Sequence, residues 1–168
     1  MTAILSGMNK AEIRERLIEL RRDMTEDEVV ARSAEVLETL KSAIDWSVVR
    51  SAHVYRSVDS WNEVRTVGVI RWLKSEHPDM SVTVGESSRS APAPETDFDV
   101  ILVPLLAFDA SLNRLGFGGG WYDRFLASQS GALKVGLAYG LQRVDTINVQ
   151  PHDIPLDMVL TDSGAVTK

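Results

Sequence analysis

No cysteine occurs among the 168 residues, which excludes disulfides, thiolate metal sites and cysteine nucleophiles. Basic residues are not in excess: 18 Lys and Arg against 24 Asp and Glu give a net charge of −6, whereas nucleic-acid-binding surfaces are generally basic. The longest apolar run, residues 100–108, contains Pro104 and is too short to cross a bilayer. The opening stretch MTAILSGMNK has no basic residue before its apolar part, unlike a signal peptide. We therefore expect a cytoplasmic protein with neither nucleic acid nor a membrane as its partner.

Hydrophobic periodicity predicts three helices in the first half of the chain. Apolar residues recur at helical spacing over residues 9–24, and Thr25 with Glu28 forms the sequence pattern of a capping box. A second helix is expected to begin there and to end before Trp46. A third helix is expected over residues 64–76. The length and the hydrophobic content of 44% suit one domain over residues 1–168, in which we expect residues 1–8 to be an N-terminal extension.

Runs of β-branched and apolar residues predict strands that alternate with these helices. They are residues 48–55, 81–85, 98–109, 134–140 and 157–162. This alternation indicates an α/β fold with a mainly parallel sheet flanked by helices. Residues 98–109 are almost continuously apolar, as expected for a strand buried on both faces. Ligands bind beyond the carboxyl ends of such strands, so the segment after residue 109 is a candidate site.

That segment, NRLGFGGGWYDRF at residues 113–125, is rich in glycine and is followed by a helix expected to reach Ser128. Glycines let backbone N–H groups approach a ligand, and a helix N-terminus favours anions, so the pattern is typical of a phosphate site. Arg114 adds a cation and Asp123 a hard oxygen ligand for magnesium, while Trp121 and Tyr122 offer flat surfaces. Neither G-x-x-x-x-G-K-[ST] nor G-x-G-x-x-G is present. A tight turn with packing aromatics remains the alternative.

Three basic residues share one face of the first predicted helix. Lys10, Arg14 and Arg21 lie close together on a helical wheel and border the apolar face at Leu17. Lys10 and Arg14 are like charges at positions i and i+4, which costs roughly 0.2–0.5 kcal/mol. The stripe is either a contribution to the phosphate site or a solvated basic face.

The stretch LVPLLAFDASLNRLGFGGGWYDRFL, residues 102–126, closely resembles the signature of the 5-formyltetrahydrofolate cyclo-ligase family, also called methenyltetrahydrofolate synthetase. MNKAEIRERLIELRRDM resembles the N-terminal helix of that family, NEVRT its E-V-D-T element, and PHDIPLDMVLTD its closing segment. These elements occur in the order that the family has. The resemblance implies an α/β fold related to ribose-5-phosphate isomerase and CoA-transferase folds.

The same resemblance implies a reaction and a set of site residues. ATP and magnesium would drive the cyclisation of 5-formyltetrahydrofolate to 5,10-methenyltetrahydrofolate through an imino-phosphate, with release of ADP and phosphate. ATP would be held by Lys10, Arg14, Arg114, Leu115, Gly116, Phe117, Gly118, Gly119, Gly120, Trp121 and Tyr122. Among these, Arg114, Lys10 and Arg14 would be catalytic. Glu63, Val58 and Trp121 would contact the folate, and Asp123 and Asp153 would bind magnesium. We expect a monomer with reduced folate and ATP as its small-molecule partners.

The sequence departs from the family pattern in the part that would bind folate. Arg65 stands where E-V-D-T has its aspartate, and the connection ESSRSAPAPETD is shorter than the family's by a few dozen residues. Two alternatives follow: a relative that keeps the Mg-ATP site and acts on another substrate, and a non-catalytic folate- or nucleotide-binding module. His53 and His77 are interpreted as structural or solvent-exposed, and Trp61 as a packing aromatic on the loop that the resemblance places near folate.

Overall fold

The computed structural model describes residues 7–85 and 92–168, and it contains one large and one small β-sheet. Most of the expected extension at residues 1–8, and part of the short connection at residues 86–97, lie outside the described residues. The strands are β1 (Ser51–Val54), β2 (Ser81–Val84), β3 (Val100–Pro104), β4 (Ala107–Phe108), β5 (Arg114–Leu115), β6 (Leu133–Leu137), β7 (Met158–Thr161) and β8 (Gly164–Thr167). The helices are α1 (Lys10–Arg22), α2 (Glu26–Ala43), α3 (Val67–Glu76) and α4 (Trp121–Ser128).

The large sheet has the strand order β2-β1-β3-β6-β7-β8 and is parallel except for its last pair, β7 with β8. All residues of β3 are buried, as its apolar sequence predicts for a central strand. The prediction of a mainly parallel α/β domain is confirmed. Strand β8 was not expected; it pairs antiparallel with β7 through registers such as Val159 with Val166.

Residues 98–109 do not form one strand, so that prediction was wrong. The chain leaves the large sheet after Pro104, and β4 then pairs antiparallel with β5 in a separate two-stranded sheet. Proline cannot donate a hydrogen bond to the strand ladder, which favours a strand end at this point. The carbonyls of Leu105 and Leu106 are instead satisfied by the Gln142 side chain, whose Nε2 lies 2.7 and 3.0 Å away.

Helix α2 begins where the capping pattern of Thr25 and Glu28 predicts, and α1 begins close to the start that helical periodicity predicts. Asn9 Oδ1 accepts hydrogen bonds from the backbone of Ala11 and Glu12, and Thr25 forms a capping box with Glu28. Helix α3 begins at Val67, three residues later than expected. The backbone just before it makes hydrogen bonds with side chains outside the helix. For example, the Tyr55 hydroxyl donates to the carbonyl of Val64 at 2.9 Å.

The start of β1 also differs from the prediction. Residues 48–50 were expected to be extended, but Trp46–Val48 forms a 3-10 turn in which Asp45 Oδ1 accepts a hydrogen bond from the Ser47 backbone at 3.1 Å. Among residues 7–85 and 92–168, none of the helices combines the length and apolar character that crossing a membrane requires.

Candidate functional site

Helix α1 is held against the β4–β5 hairpin by its apolar face. Ile13 and Leu17 are buried in a cluster with Ala107 of β4 and Leu115 of β5. The basic residues one turn away on the same helix are thereby brought beside the glycine segment that follows β5. Arg14 confirms this juxtaposition, because its Nε donates a hydrogen bond to the carbonyl of Gly116 at 2.9 Å.

Two glycines in the segment have backbone conformations that other residues adopt with strain. Gly118 has φ +102°, and Gly120, which caps the N-terminus of α4, has φ +65°. A β-carbon at Gly118 would lie 3.7 Å from the Arg14 guanidinium. The glycines therefore form the turn and also leave space beside a cation.

Arg114 is a buried cation at the start of the segment. Its Nη2 donates to Asp123 Oδ1 at 2.7 Å, and its guanidinium carbon lies 5.9 Å from the centre of the Tyr122 ring. Burial lowers the pKa of Arg114, an effect that the neighbouring Asp123 opposes. No described residue accepts a hydrogen bond from its buried Nε.

Lys10 and Asp153 form a second ion pair at the edge of the same space. Lys10 Nζ donates to Asp153 Oδ2 at 2.5 Å, and the backbone N–H of Gln150 donates to the same oxygen at 2.8 Å. Partial burial acts to raise the pKa of Asp153, but the hydrogen bonds from Lys10 and Gln150 hold it below its ordinary value. Asp153 is therefore a carboxylate at neutral pH.

The two aspartates could contribute to a magnesium site if phosphate supplied further ligands. Asp123 Oδ1 accepts from Arg114 and from the backbone of Ile154, and Asp153 Oδ2 accepts from Lys10. Within the described ranges, no hydrogen bond reaches the other oxygen of either carboxylate. Magnesium is commonly held by one or two carboxylates together with substrate phosphates. The described residues contain no cluster of three or more acidic, histidine or cysteine ligands, so phosphate and water would have to complete the coordination.

These groups line one cleft of about 890 Å³. A cavity of this size suits a nucleotide-sized ligand. Its lining includes every residue that the sequence assigned to ATP and magnesium: Lys10, Arg14, Arg114, Leu115, Gly116, Phe117, Gly118, Gly119, Gly120, Trp121, Tyr122, Asp123 and Asp153.

Glu63 and Val58, which the sequence assigned to folate, contact each other and do not line the cleft. Glu63 is buried, and its Oε2 accepts a hydrogen bond from the Val58 backbone at 2.8 Å. This contact shapes the loop between them, which carries Trp61 into the cleft wall. The folate role of Glu63 and Val58 stays a prediction.

Arg21 has a different role from the other basic residues of the α1 stripe. It is only 3% exposed, and its Nε donates to the carbonyl of Trp61 at 2.9 Å. Its guanidinium carbon also lies 5.6 Å from the centre of the Phe117 ring. The basic stripe therefore divides, with Lys10 and Arg14 lining the cleft and Arg21 fastening the loops around it.

Sequence reasoning missed the pairing of Trp61 with Phe117. Their ring centres are 4.5 Å apart, with the planes tilted by 33°. The pair joins the loop after β1 to the glycine segment, a contact over a separation that local patterns do not reveal. Sequence reasoning also left open whether His53 is buried. It is, and no described residue makes a hydrogen bond to either ring nitrogen, so desolvation lowers its pKa to about 4.

Comparison with known proteins confirms the resemblance seen in the sequence. Residues 81–162 match the model of the 5-formyltetrahydrofolate cyclo-ligase family. A 5-formyltetrahydrofolate cyclo-ligase of Haemophilus influenzae is 42% identical over 69 residues, which are 40% of this chain and 37% of that protein. The matched segment therefore spans well under half the length of this curated relative.

Solved structures extend the similarity to nearly the whole chain. The 5,10-methenyltetrahydrofolate synthetase of Aquifex aeolicus superposes with a TM-score of 0.75 at 26% identity, covering 95% of this chain and 93% of that one. The enzyme of the same name from Mycoplasma pneumoniae gives a TM-score of 0.77 at 22% identity, covering 92% and 99%. The α/β fold is thus shared with these proteins along its length.

Proposed function

We propose that this chain is an enzyme that uses ATP to cyclise 5-formyltetrahydrofolate to 5,10-methenyltetrahydrofolate, releasing ADP and phosphate. The observation that carries the proposal is the convergence of Lys10 and Arg14 on the glycine segment, beside the buried Arg114, in one cleft. The names of the similar proteins support the folate substrate. We further propose that the chain acts as a cytoplasmic monomer.

The cleft is suited to phosphoryl transfer because it concentrates positive charge and N–H donors. Arg14 uses Nε for Gly116, and no described residue accepts a hydrogen bond from its two terminal nitrogens. These nitrogens would pair with phosphate oxygens, as would the N–H groups of residues 118–120. Phosphoryl transfer depends mainly on positioning and charge neutralisation, so it requires no nucleophilic side chain.

The proposed reaction balances without any further reactant. The formyl oxygen of the folate attacks the γ-phosphorus, and the bond to the β–γ bridging oxygen breaks so that ADP leaves. The folate N10 then adds to the formyl carbon of this imino-phosphate and loses its proton. The carbon–oxygen bond breaks, and the formyl oxygen departs within inorganic phosphate. Lys10, Arg14 and Arg114 would neutralise the negative charge that accumulates on the transferred group.

Asp123 and Asp153 would hold magnesium, which when bound supplies neutralising charge to the phosphates. Their present partners suit this role. Arg114 and Lys10 each occupy one carboxylate oxygen, which fixes the orientation of the side chain and leaves the second oxygen for the ion.

A relative with the same nucleotide site and a different second substrate is the competing function, and Arg65 favours it. This residue replaces an aspartate of the family pattern, and its Nη2 pairs with Glu26 at 2.7 Å. Arg65 Nε also lies 3.8 Å from Oδ1 of Asp59, a residue of the loop that would face the folate. An altered charge here would change which second substrate is accepted.

The cyclisation assay distinguishes these functions. The purified chain with Mg-ATP and 5-formyltetrahydrofolate should form the near-ultraviolet absorption of the methenyl product together with one equivalent of ADP. Arg14→Gln should reduce turnover about a hundredfold, as expected for the loss of a transition-state charge contact. Arg16→Gln is the matched control, since Arg16 lies on the same helix and is exposed. Mg-ATP binding without product would favour the relative with another substrate, and failure with every nucleoside triphosphate would refute the proposed activity.

A further inference from the structure

A second cavity adjoins the main cleft and shares the Trp61–Phe117 pair with it. This groove has a volume of about 320 Å³ and is lined by Ile18, Arg21, Arg22, Ser60, Trp61 and Phe117. Trp61 and Phe117 also line the main cleft. The two cavities therefore adjoin at these two rings, so one extended ligand could reach both.

The shape of the groove is fixed by Arg21. Its guanidinium donates to the carbonyl of Trp61 through both Nε and Nη2, and it packs over the Phe117 ring. Asn62 strengthens the connection, because its Nδ2 donates to the carbonyl of Arg21 at 2.7 Å. Trp61 nevertheless remains 44% exposed, so part of the indole is open to a further ring. The groove thus combines a rigid floor with an accessible aromatic surface.

The charge of the groove is positive although the chain as a whole is acidic. Its charged lining residues are Arg21 and Arg22, and no carboxylate lines it, whereas the net charge of the chain is −6. Arg21 is engaged by backbone carbonyls. Arg22 is exposed and makes no hydrogen bond or ion pair with any residue in the described ranges. A cation held beside an aromatic surface favours a ligand that joins an aromatic ring to a carboxylate.

We propose that this groove binds the p-aminobenzoylglutamate end of the folate, with the benzoyl ring against Trp61 and a glutamate carboxylate at Arg22. The inference rests on the proposed function, since it takes the folate as the second substrate. The pterin end, which carries the formyl group, then lies toward the main cleft and its phosphate-binding residues. Trp61 and Arg22 determine specificity in this arrangement, because they recognise a part of the substrate that does not react.

The alternative occupant is the adenine base of the nucleotide, which also stacks on aromatic rings. Adenine is neutral and gives Arg22 no charged partner, so the observed charge favours the arylcarboxylate. The two occupants predict opposite results in a competition experiment.

Binding of the fragment p-aminobenzoyl-L-glutamate tests the site without any catalysis. Titration of the nitrogen-15-labelled chain should shift the Trp61 indole N–H resonance, identified by its loss in Trp61→Phe. Arg22→Gln should weaken fragment binding about three- to tenfold, as expected for one charge-assisted contact near solvent. Arg16→Gln, which removes a charge from an exposed position on the same helix, should leave binding unchanged. Equal binding by Arg22→Gln, or displacement of the fragment by adenosine, would overturn the assignment.

Enzyme kinetics provide a second test of the groove assignment. In the cyclisation assay, Arg22→Gln should raise the KM for 5-formyltetrahydrofolate by the same factor as it weakens fragment binding. The kcat and the KM for ATP should stay unchanged. The variant should behave as the parent chain does toward 5-formyl-6-(anilinomethyl)tetrahydropterin, which keeps N10 and its aromatic ring but lacks the glutamate carboxylates. A similar loss with both substrates would contradict the inference. If the fragment binds through Arg22 but no cyclisation occurs, the groove assignment stands and the proposed reaction fails.

Discussion

Arg114 Nη2 and Asp123 Oδ1 are 2.7 Å apart, and this ion pair closes the segment that contains the four clustered glycines. Arg114 belongs to β5 and Asp123 to the first turn of α4. The pair therefore fastens both ends of the loop to each other. Asp123 also supplies the counter-charge of the buried guanidinium, and burying that cation without one would be strongly unfavourable.

Replacing Arg114 should affect both stability and turnover. Arg114→Ala removes the partner of Asp123 from a buried position, so we expect the free energy of unfolding to fall by about 2–4 kcal/mol. Turnover should fall about a hundredfold or more at temperatures where the variant remains folded. Urea titration and the cyclisation assay measure the two effects. Arg71→Ala, at an exposed position on α3, should change neither. Normal specific activity of Arg114→Ala would remove Arg114 from the catalytic assignment.

The glycines should differ in their tolerance of side chains. Gly118→Val and Gly120→Val place β-branched residues at φ +102° and +65°, so both should lower Mg-ATP affinity at least tenfold while the far-ultraviolet circular dichroism stays native-like. Gly119 is the internal comparison: it lacks a positive φ, and a β-carbon there would meet nothing within 4 Å. Gly119→Ala should change the free energy of unfolding by less than about 0.5 kcal/mol. Normal ATP binding by the Gly118 variant would mean that the glycines serve only the turn.

Removing a carboxylate should change the magnesium requirement. Asp153→Asn keeps the shape of the side chain but weakens its pairing with Lys10 and its attraction for a cation. We expect the magnesium concentration for half-maximal activity to rise about tenfold, with a smaller effect on stability. Asp145→Asn is a control of equal charge at an exposed loop position. An unchanged magnesium dependence of Asp153→Asn would remove this residue from the proposed ion site.

His53 should make stability depend on pH in a defined range. Desolvation lowers its pKa in the folded chain to about 4 from an ordinary 6.5, so the unfolded chain binds the proton more tightly. Stability from this source is complete above pH 6.5 and is lost as the pH falls towards 4. Between pH 7.5 and 4.5 the loss should be about 2–3 kcal/mol by urea unfolding.

His53→Leu isolates this contribution because it should remove most of that loss. Carboxylates with lowered pKa values, such as Asp99 and Asp153, act in a different range. The stability that they provide is present above their ordinary pKa of 3.8 and declines only as the pH falls below it. Equal pH dependence of the variant and the parent chain between pH 6.5 and 4.5 would show that His53 is not the source.

The parts of the fold and site that could be predicted are those encoded locally. Helical periodicity located the start of α1, the capping pattern of Thr25 and Glu28 located that of α2, and the glycine segment located the turn before α4. Helical spacing placed Lys10 and Arg14 on one face, and α1 brings both to the cleft. Each of these features depends on residues within one or two turns of one another.

The remaining features depend on contacts between distant segments. A helical wheel groups Arg21 with Arg14, yet Arg21 is buried because the loop at Trp61 folds over it. Strand β8 is short and only partly buried, and it is defined by its pairing with β7. The division between β3 and β4 did have a local signal in Pro104, which the surrounding apolar run obscured.

The separation of the small hairpin from the large sheet has a consequence for amide hydrogen exchange. The glycine segment follows a hairpin of two residue pairs, in which the Leu106 N–H donates to the Leu115 carbonyl at 2.7 Å. Leu102, in contrast, lies in β3 between β1 and β6. Local opening of the hairpin can therefore occur while the large sheet remains paired, and the Leu106 amide should exchange faster than that of Leu102. Mg-ATP should slow exchange at Leu106 more than at Leu102. The free energy of local opening at the hairpin would then approach the free energy of global unfolding.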